Sequence, residues 1–343
     1  MSILLVDTVG IGLLGGFVSG FLGIGCGIII TPLLVDLGLS PFVAIPTQLC
    51  HSVGTNFANF LSYAHKRDVD FHLAFYILLG GVLGAICEGI FLKFVNDKQV
   101  IINKFLYIYI FVLVIFGFVM LKQSYQEWKK SKSKKIIYSV SMRHWMLYLP
   151  FHKIFSRSRT EMSIIIPISL GFITGLLVAA LGGGNNIFMA PIITYLIGRI
   201  SPVVYGTTAF SGFIITSMIV IIYANNNYYC DMSLVLLLFG GAALGSWLGV
   251  KLSYKLPRYS LNIIASIITF FMAGKQINKL LHPVSNNYIV EVNNDGSGHS
   301  IGYTILCITI IMLLSYIYKM VLDFIVKKIT TSKKSIRNRM GKK

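Results

Sequence analysis

The chain is poor in charge, and above all in acid. Charged residues fill 12% of its 343 positions, and only 12 of them are Asp or Glu, where a soluble globular chain carries about 25% charge. That shortage excludes a disordered tail protein, a coiled coil and an ordinary cytosolic enzyme. Cysteine is scarce as well. Cys26, Cys50, Cys87, Cys230 and Cys307 form no CxxC pair, so neither a disulfide framework nor a zinc site is legible, and small apolar packing residues are the simpler reading. No GxSxG, HExxH, P-loop or paired-carboxylate pattern occurs. An enzyme would therefore lack its nucleophile, metal or acid–base pair. The expectation is a protein without catalytic residues, cofactor or metal site. The N-terminus, MSILLVDTVG, lacks a basic leader region, which reads as a retained first span.

What is abundant is apolar. Hydrophobic residues make up 55% of the chain, mean hydropathy is +0.75, and 32 glycines and 23 phenylalanines are present. Glycine and aromatics are used freely in bilayer helices, and a crossing takes about 20 residues. The composition therefore points to an all-α, multi-pass protein of a cell membrane, the inner membrane in a Gram-negative cell. The net charge of +18 does not signal nucleic acid. Ten of the 30 Lys and Arg lie between Lys122 and Arg159 and eight more between Lys327 and Lys343. Such clusters beside apolar runs mark the cytoplasmic face and bind anionic lipid headgroups.

The apolar runs occur twice in the same order. Ile3 to Leu39, Phe42 to Tyr63, His72 to Leu92 and Asn103 to Leu121 are answered by Ser163 to Ile197, Pro202 to Tyr223, Met232 to Leu252 and Ser260 to Gln276. Setting Gly12–Pro32 on Gly171–Pro191 gives seven identities in 21 positions, four of them glycines. Ser40-Pro41 answers Ser201-Pro202, Pro46-Thr47-Gln48 answers Gly206-Thr207-Thr208, and Gly80 and Gly84 answer Gly241 and Gly245. This is an internal duplication. It divides the chain into a first transmembrane repeat (3–121), a basic cytoplasmic loop (122–160), a second repeat (163–281), an extra span (301–326) and a basic cytoplasmic tail (327–343).

Charge placement orients the halves. With loop and tail cytoplasmic, the stretch 282–300 lies outside, Lys251, Lys255 and Arg258 inside, and Asn225 to Asp231 outside. Arg159 and Arg199 then share the inside, so 163–197 must enter and return as a hairpin turning at Gly182 to Asn186. Lys66 and Arg67 place Leu39 outside, so the first hairpin returns outside. The two repeats then have opposite topology, as in many secondary transporters. Lys93, Lys98 and Lys104 run against this assignment, and a parallel repeat is the alternative.

Candidate site residues follow from the breaks. An unpaired backbone group in hydrocarbon costs several kcal/mol, so Gly23, Gly25 and Gly27 and the run Gly182, Gly183, Gly184, Asn185 and Asn186 are expected to be buried in protein or to line a polar cavity. There the N–H groups of a new helix start attract anions. Gly12, Gly16, Gly171 and Gly175 read instead as close-packing positions. Thr47 and Gln48, with Ser52 and Asn56 at spacings of four, and their counterparts Thr207, Thr208 and Ser211 either line the site or bond carbonyls one turn back. His51 and Glu88 are ionisable groups inside spans and candidates for a proton-linked role; the alternatives are a packing histidine and a carboxylate near a helix end. Within the eight repeated spans Lys and Arg stand only at the ends, so an anion would be held by amides, hydroxyls and helix ends.

These same segments, GFLGIGCGIIITPLL (Gly20 to Leu34) and AALGGGNNIFMAPII (Ala179 to Ile193), each followed by a threonine segment (AIPTQ from Ala44, VYGTT from Val204), resemble the TauE/SafE family of membrane permeases. The ladder GGAALGSWLGVKLSYKLP (Gly240 to Pro257) is a third point of likeness. The resemblance implies a secondary transporter, an exporter, of sulfite, a sulfonate or another small organosulfur anion. Cys26, Pro46, Glu88, the long basic loop with Ile136 to Phe151 suited to the interface, and the extra C-terminal span depart from the family pattern. A channel-like or scaffold protein, and an intramembrane enzyme, are the competing readings.

Overall fold

The architecture is taken from a computed structural model. It describes residues 2–22, 27–94, 98–132, 150–155, 157–158, 160–183, 189, 193, 202–226, 228, 230–253, 258–281, 305–306, 308–317 and 320. The elements are α1 (Ser2–Leu22), α2 (Gly27–Asp36), α3 (Pro41–His65), α4 (Phe71–Phe94), α5 (Lys98–Lys132), β1 (His152–Phe155), β2 (Thr160–Ser163), α6 (Ile165–Leu181), α7 (Pro202–Asn225), α8 (Met232–Ser253) and α9 (Arg258–Leu281). A further apolar helical piece covers Ile308–Ile317, inside the extra span expected at 301–326.

Among the described residues, five helices are long and apolar enough to cross a membrane: Phe71–Leu92, Tyr109–Gln126, Val203–Asn225, Met232–Gly249 and Tyr259–Asn278. Their outer faces carry exposed apolar side chains, such as Phe75, Leu83, Ile90 and Phe94 on α4 and Leu244 and Trp247 on α8. In water such faces would be a liability; in hydrocarbon they are the solvated surface. The chain is an all-α multi-pass membrane protein, apart from one short β-hairpin. α3 does not reach the same hydropathy although it has 25 residues. Thr47, Gln48, His51, Ser52 and Asn56 lower it, and all are buried. Protein shields this helix from lipid, so it need not be greasy.

Glycine explains the tightest seams. A Cβ added at Gly12, Gly16 or Gly20 of α1 would fall on the backbone of Leu238, Ala242 or Ser246 of α8. One at Gly241, Gly245 or Gly249 would meet Val9, Leu13 or Phe17 of α1. The other seam repeats the pattern: Gly80 and Gly84 of α4 meet Ile168 and Phe172 of α6, and Gly171 and Gly175 meet Ile77 and Gly81. The first helix of each half thus packs in parallel on the third long helix of the other half. Only a residue without Cβ lets two backbones approach so closely.

α3 and α7 form the central pair, and they run antiparallel. Phe42 stacks on Tyr228 at 4.7 Å, Phe57 meets Phe213 at 5.2 Å and Phe60 meets Phe210 at 5.0 Å. α5 and α9 are antiparallel as well: Gly117 faces Phe270, and the Ser124 hydroxyl donates to the Tyr259 carbonyl at 2.7 Å. The Ile308–Ile317 helix lies against α3, where Ile311 and Ser315 occupy the space beside Gly54.

The basic segment differs from a plain loop. α5 runs on to Lys132, and β1 and β2 pair antiparallel, His152 opposite Ser163 and Phe155 opposite Thr160. The proposed interface piece, Ile136 to Phe151, lies outside the described residues except for Pro150 and Phe151.

Candidate functional site

α6 stops where the glycine run begins. α6 ends at Leu181 and Gly182 takes φ +67°, with its N–H donating to the Val178 carbonyl at 3.0 Å. This left-handed C-cap suits glycine, which bears no Cβ penalty there. Met189 Sδ lies 4.0 Å from Thr174 Oγ1 of α6. Gly182 and Gly183 are buried. Gly184, Asn185 and Asn186 lie outside the described residues, as do Gly23 and Gly25. Gly27 is buried and opens α2.

α2 touches the end of α6. Thr31 of α2 donates from Oγ1 to the Gly182 carbonyl at 3.4 Å, and Gly182 also packs against Ile45 of α3. One turn back, the Ala179 carbonyl accepts from Tyr223 Oη at 2.9 Å. Tyr223 lies in the last turn of α7 and Ile45 in the first turns of α3. The described part of this turn therefore sits towards one end of the bundle, not halfway along it.

The threonines are not brought together. Thr47 Oγ1 accepts from the backbone N–H of Asp231 at 3.2 Å, and Thr207 Oγ1 accepts from that of Asp70 at 2.9 Å. Asp231 precedes α8 next to the end of α7, whereas Asp70 precedes α4 next to the start of α7. Because α3 and α7 are antiparallel, Thr47 and Thr207 are separated by most of the length of α7, roughly 24 Å at 1.5 Å per residue. Thr207 Oγ1 also donates to the Val203 carbonyl at 2.6 Å, Thr208 Oγ1 to Tyr205 at 3.1 Å and Ser211 Oγ to Thr208 at 3.2 Å. In α7 the hydroxyls use the carbonyl one turn earlier, one of the two alternatives the sequence left open for them.

Gln48 is different. It is fully buried and its Nε2 donates to Ser52 Oγ at 3.1 Å, while Oε1 has no partner among the described residues. Leaving a buried acceptor unpaired costs about 1–3 kcal/mol. With Ser52 and Asn56 it forms a buried polar face one turn from Ile45, and hence near Gly182. His51 is buried on the same helix, with its ring edge-on to Phe239 at 6.2 Å. Glu88 is buried on α4, and its Oε2 has no partner among the described residues; the next residue, Gly89, packs on Ile222 of α7. Among the described residues, none of the buried polar side chains is Lys or Arg. Among the described residues, no group of three or more His, Cys, Asp or Glu is placed to hold a metal.

Sequence reasoning missed Asp70 and Asp231. Each caps its helix: Asp70 Oδ1 accepts from the Leu73 N–H at 3.2 Å, and Asp231 Oδ1 from those of Ser233 and Leu234 at 2.9 and 3.3 Å. An Asp just before an apolar run is the signal that could have found them.

The family model described as sulfite exporter TauE/SafE matches residues 8–275, both hairpins and both glycine seams included. The chain belongs to the TauE/SafE family. It is similar to the probable membrane transporter protein YjnA of Bacillus subtilis (strain 168), 26% identical over 270 residues that cover 77% of this chain and 96% of the relative. The probable membrane transporter protein YunE of the same organism is 24% identical over 281 residues, 79% of this chain and 97% of the relative. No solved structure matches. As a TauE/SafE protein with five apolar spanning helices, the chain is a multi-pass membrane transporter and a permease by class.

Proposed function

We infer that the protein is a secondary transporter, in the export direction, for a small anion such as sulfite or an organosulfonate. The observation that carries the inference is the buried Gln48–Ser52–Asn56 face beside the Gly182 turn, with the Gln48 carbonyl oxygen unpaired. A polar face with an orphaned atom persists inside an apolar bundle at a cost, which a transported polar guest or its water offsets. With no buried Lys or Arg among the described residues, the guest is held by amides, hydroxyls and helix ends. Such holding is weak enough to permit release. The site proper comprises Gln48 with Thr47, Gly27, Gly182, Gly183 and the neighbouring residues Gly23, Gly25, Gly184, Asn185 and Asn186. Thr207 and Thr208 would serve the opposite end of the path.

The two halves are read as inverted repeats. Support comes from α3 and its counterpart α7, which run antiparallel, and from α4 and α8, which start at opposite ends of the bundle. By charge, the Asp70 end, beside Lys66 and Arg67, faces the cytoplasm, and the Asp231 end faces out. Basic loop and tail would rest on anionic headgroups.

The test is a thermal-stability screen of the purified protein against sulfite, sulfate, taurine and simple alkylsulfonates, with wild type and Gln48→Leu side by side. Stabilisation of wild type by a sulfur oxyanion, lost in Gln48→Leu, supports the reading. No stabilisation by any of them contradicts it.

A further inference from the structure

We propose that the bonds Thr47–Asp231 and Thr207–Asp70 are the two gates of the transport path, one at each end, and that the β1–β2 hairpin braces the Asp70 gate shut. The proposal rests on the inverted arrangement above.

Each bond joins a helix of one half to the helix start of the other half. Thr47, in the second turn of α3, holds the N–H at the start of α8; Thr207, in the second turn of α7, holds the N–H at the start of α4. An N–H at a helix start has no acceptor within its own helix, so the threonine oxygen is its partner while the end is closed, and water can replace it when the end opens. Such a latch releases without stranding a polar group. The Asp70 end is packed tightly besides. A Cβ at Gly206 would fall on the Asp68 carbonyl and meet Tyr63.

The ends differ in bracing. At the Asp70 end, Ser158 donates from both its N–H and its Oγ to Asp70 Oδ2, at 3.1 Å each. Arg157 Nη1 donates to the carbonyls of Arg67 at 2.9 Å and Val69 at 3.4 Å, and Lys153 Nζ to Tyr76 Oη at 3.2 Å. Phe155 anchors the hairpin, fully buried and edge-on to Tyr76 at 6.1 Å. No hairpin reaches Asp231 among the described residues. Loosening the brace therefore shifts the population towards the state open at Asp70.

Two buried side chains report on the ends. Cys230 precedes Asp231, and Val69 precedes Asp70; both are buried. With the other four cysteines replaced by alanine, Cys230 alone, or Val69→Cys in a Cys230→Ala background, is alkylated by a membrane-impermeant maleimide in right-side-out and in inside-out vesicles. The two reporters should label from opposite faces. Gly206→Ala, a wedge in the Asp70 gate, should speed labelling at position 69 at least about fivefold, the shift that one lost hydrogen bond gives an equilibrium, and should slow it at Cys230. Arg157→Ala/Ser158→Ala alters only the hairpin, spares the bundle and should move both reporters in the same directions. Thr47→Val should do the reverse. Opposite-face labelling without these opposed responses, with both rates rising together or neither changing, overturns the gates. Labelling of both reporters from one face overturns the inverted arrangement itself.

Discussion

The glycine seams make a sharp prediction, because glycines of the same two helices differ only in what faces them. A Cβ at Gly16 would lie on the Ala242 backbone, and one at Gly245 on the Leu13 backbone, whereas a Cβ at Gly10 of α1 or Gly240 of α8 would meet nothing within 4 Å. Backbone cannot yield as a side chain can, so Gly16→Ala or Gly245→Ala must push α1 and α8 apart. Overpacking of this kind costs about 1–3 kcal/mol, only partly offset by the better helix propensity of alanine, about 1 kcal/mol. At roughly 2–4 °C per kcal/mol for a chain of this order, melting in detergent should fall by several degrees. Gly10→Ala and Gly240→Ala keep the propensity gain without the clash and should melt at or slightly above wild type. Gly175→Ala, which would press on Gly81 in the other seam, should behave like Gly16→Ala. The assay is thermal melting of the detergent-solubilised protein followed by size exclusion. If Gly16→Ala and Gly10→Ala melt alike, backbone contact is not what these glycines serve.

Other outcomes follow from the same contacts. Asp231→Ala and Asp70→Ala each remove a helix cap worth about 0.5–2 kcal/mol; Asp70→Ala should cost more because it also strands the Ser158 donors, and differential melting measures the gap. Lys275 Nζ and Asp36 Oδ2 pair at 2.7 Å with both side chains partly exposed, so Lys275→Ala should cost no more than about 1 kcal/mol, and the cost should shrink in high salt. Gln48→Leu removes a buried unpaired acceptor and should leave the protein as stable as wild type, or more so, while abolishing anion-dependent flux. Equal loss of stability and flux would make Gln48 a packing residue.

The sequence carried the large features for physical reasons. Glycines at spacings of four on an apolar background mark a helix face that touches backbone, and both seams lie where that spacing recurs. Apolar runs mark where the long helices lie but not always where they stop, since α5 continues from its run into the basic segment as far as Lys132. What it could not carry is how duplicated residues meet. A two-fold relation brings mates together only near its axis. α3 and α7 run antiparallel, and Thr47 and Thr207 both lie near their helix starts, so they fall at opposite ends. That separation needed the third dimension to be seen. α3 read as a span like the others, yet its polar residues are tolerated because neighbouring helices cover it. The β-hairpin escaped notice because HKIF and TEMS are four-residue strands inside a basic segment, too short for alternation to register. Its anchors, Asp70, Val69 and Tyr76, are distant in sequence.

The most direct measurement is counterflow. Proteoliposomes loaded with unlabelled sulfite are diluted into trace radiolabelled sulfite, with empty vesicles and Gln48→Leu as controls. A transporter that alternates around a buried anion site accumulates label transiently, and only when sulfite is inside. Uptake that internal sulfite does not stimulate would show a channel-like pore. No uptake of sulfite, or of a sulfonate in the same format, would contradict anion transport by this protein.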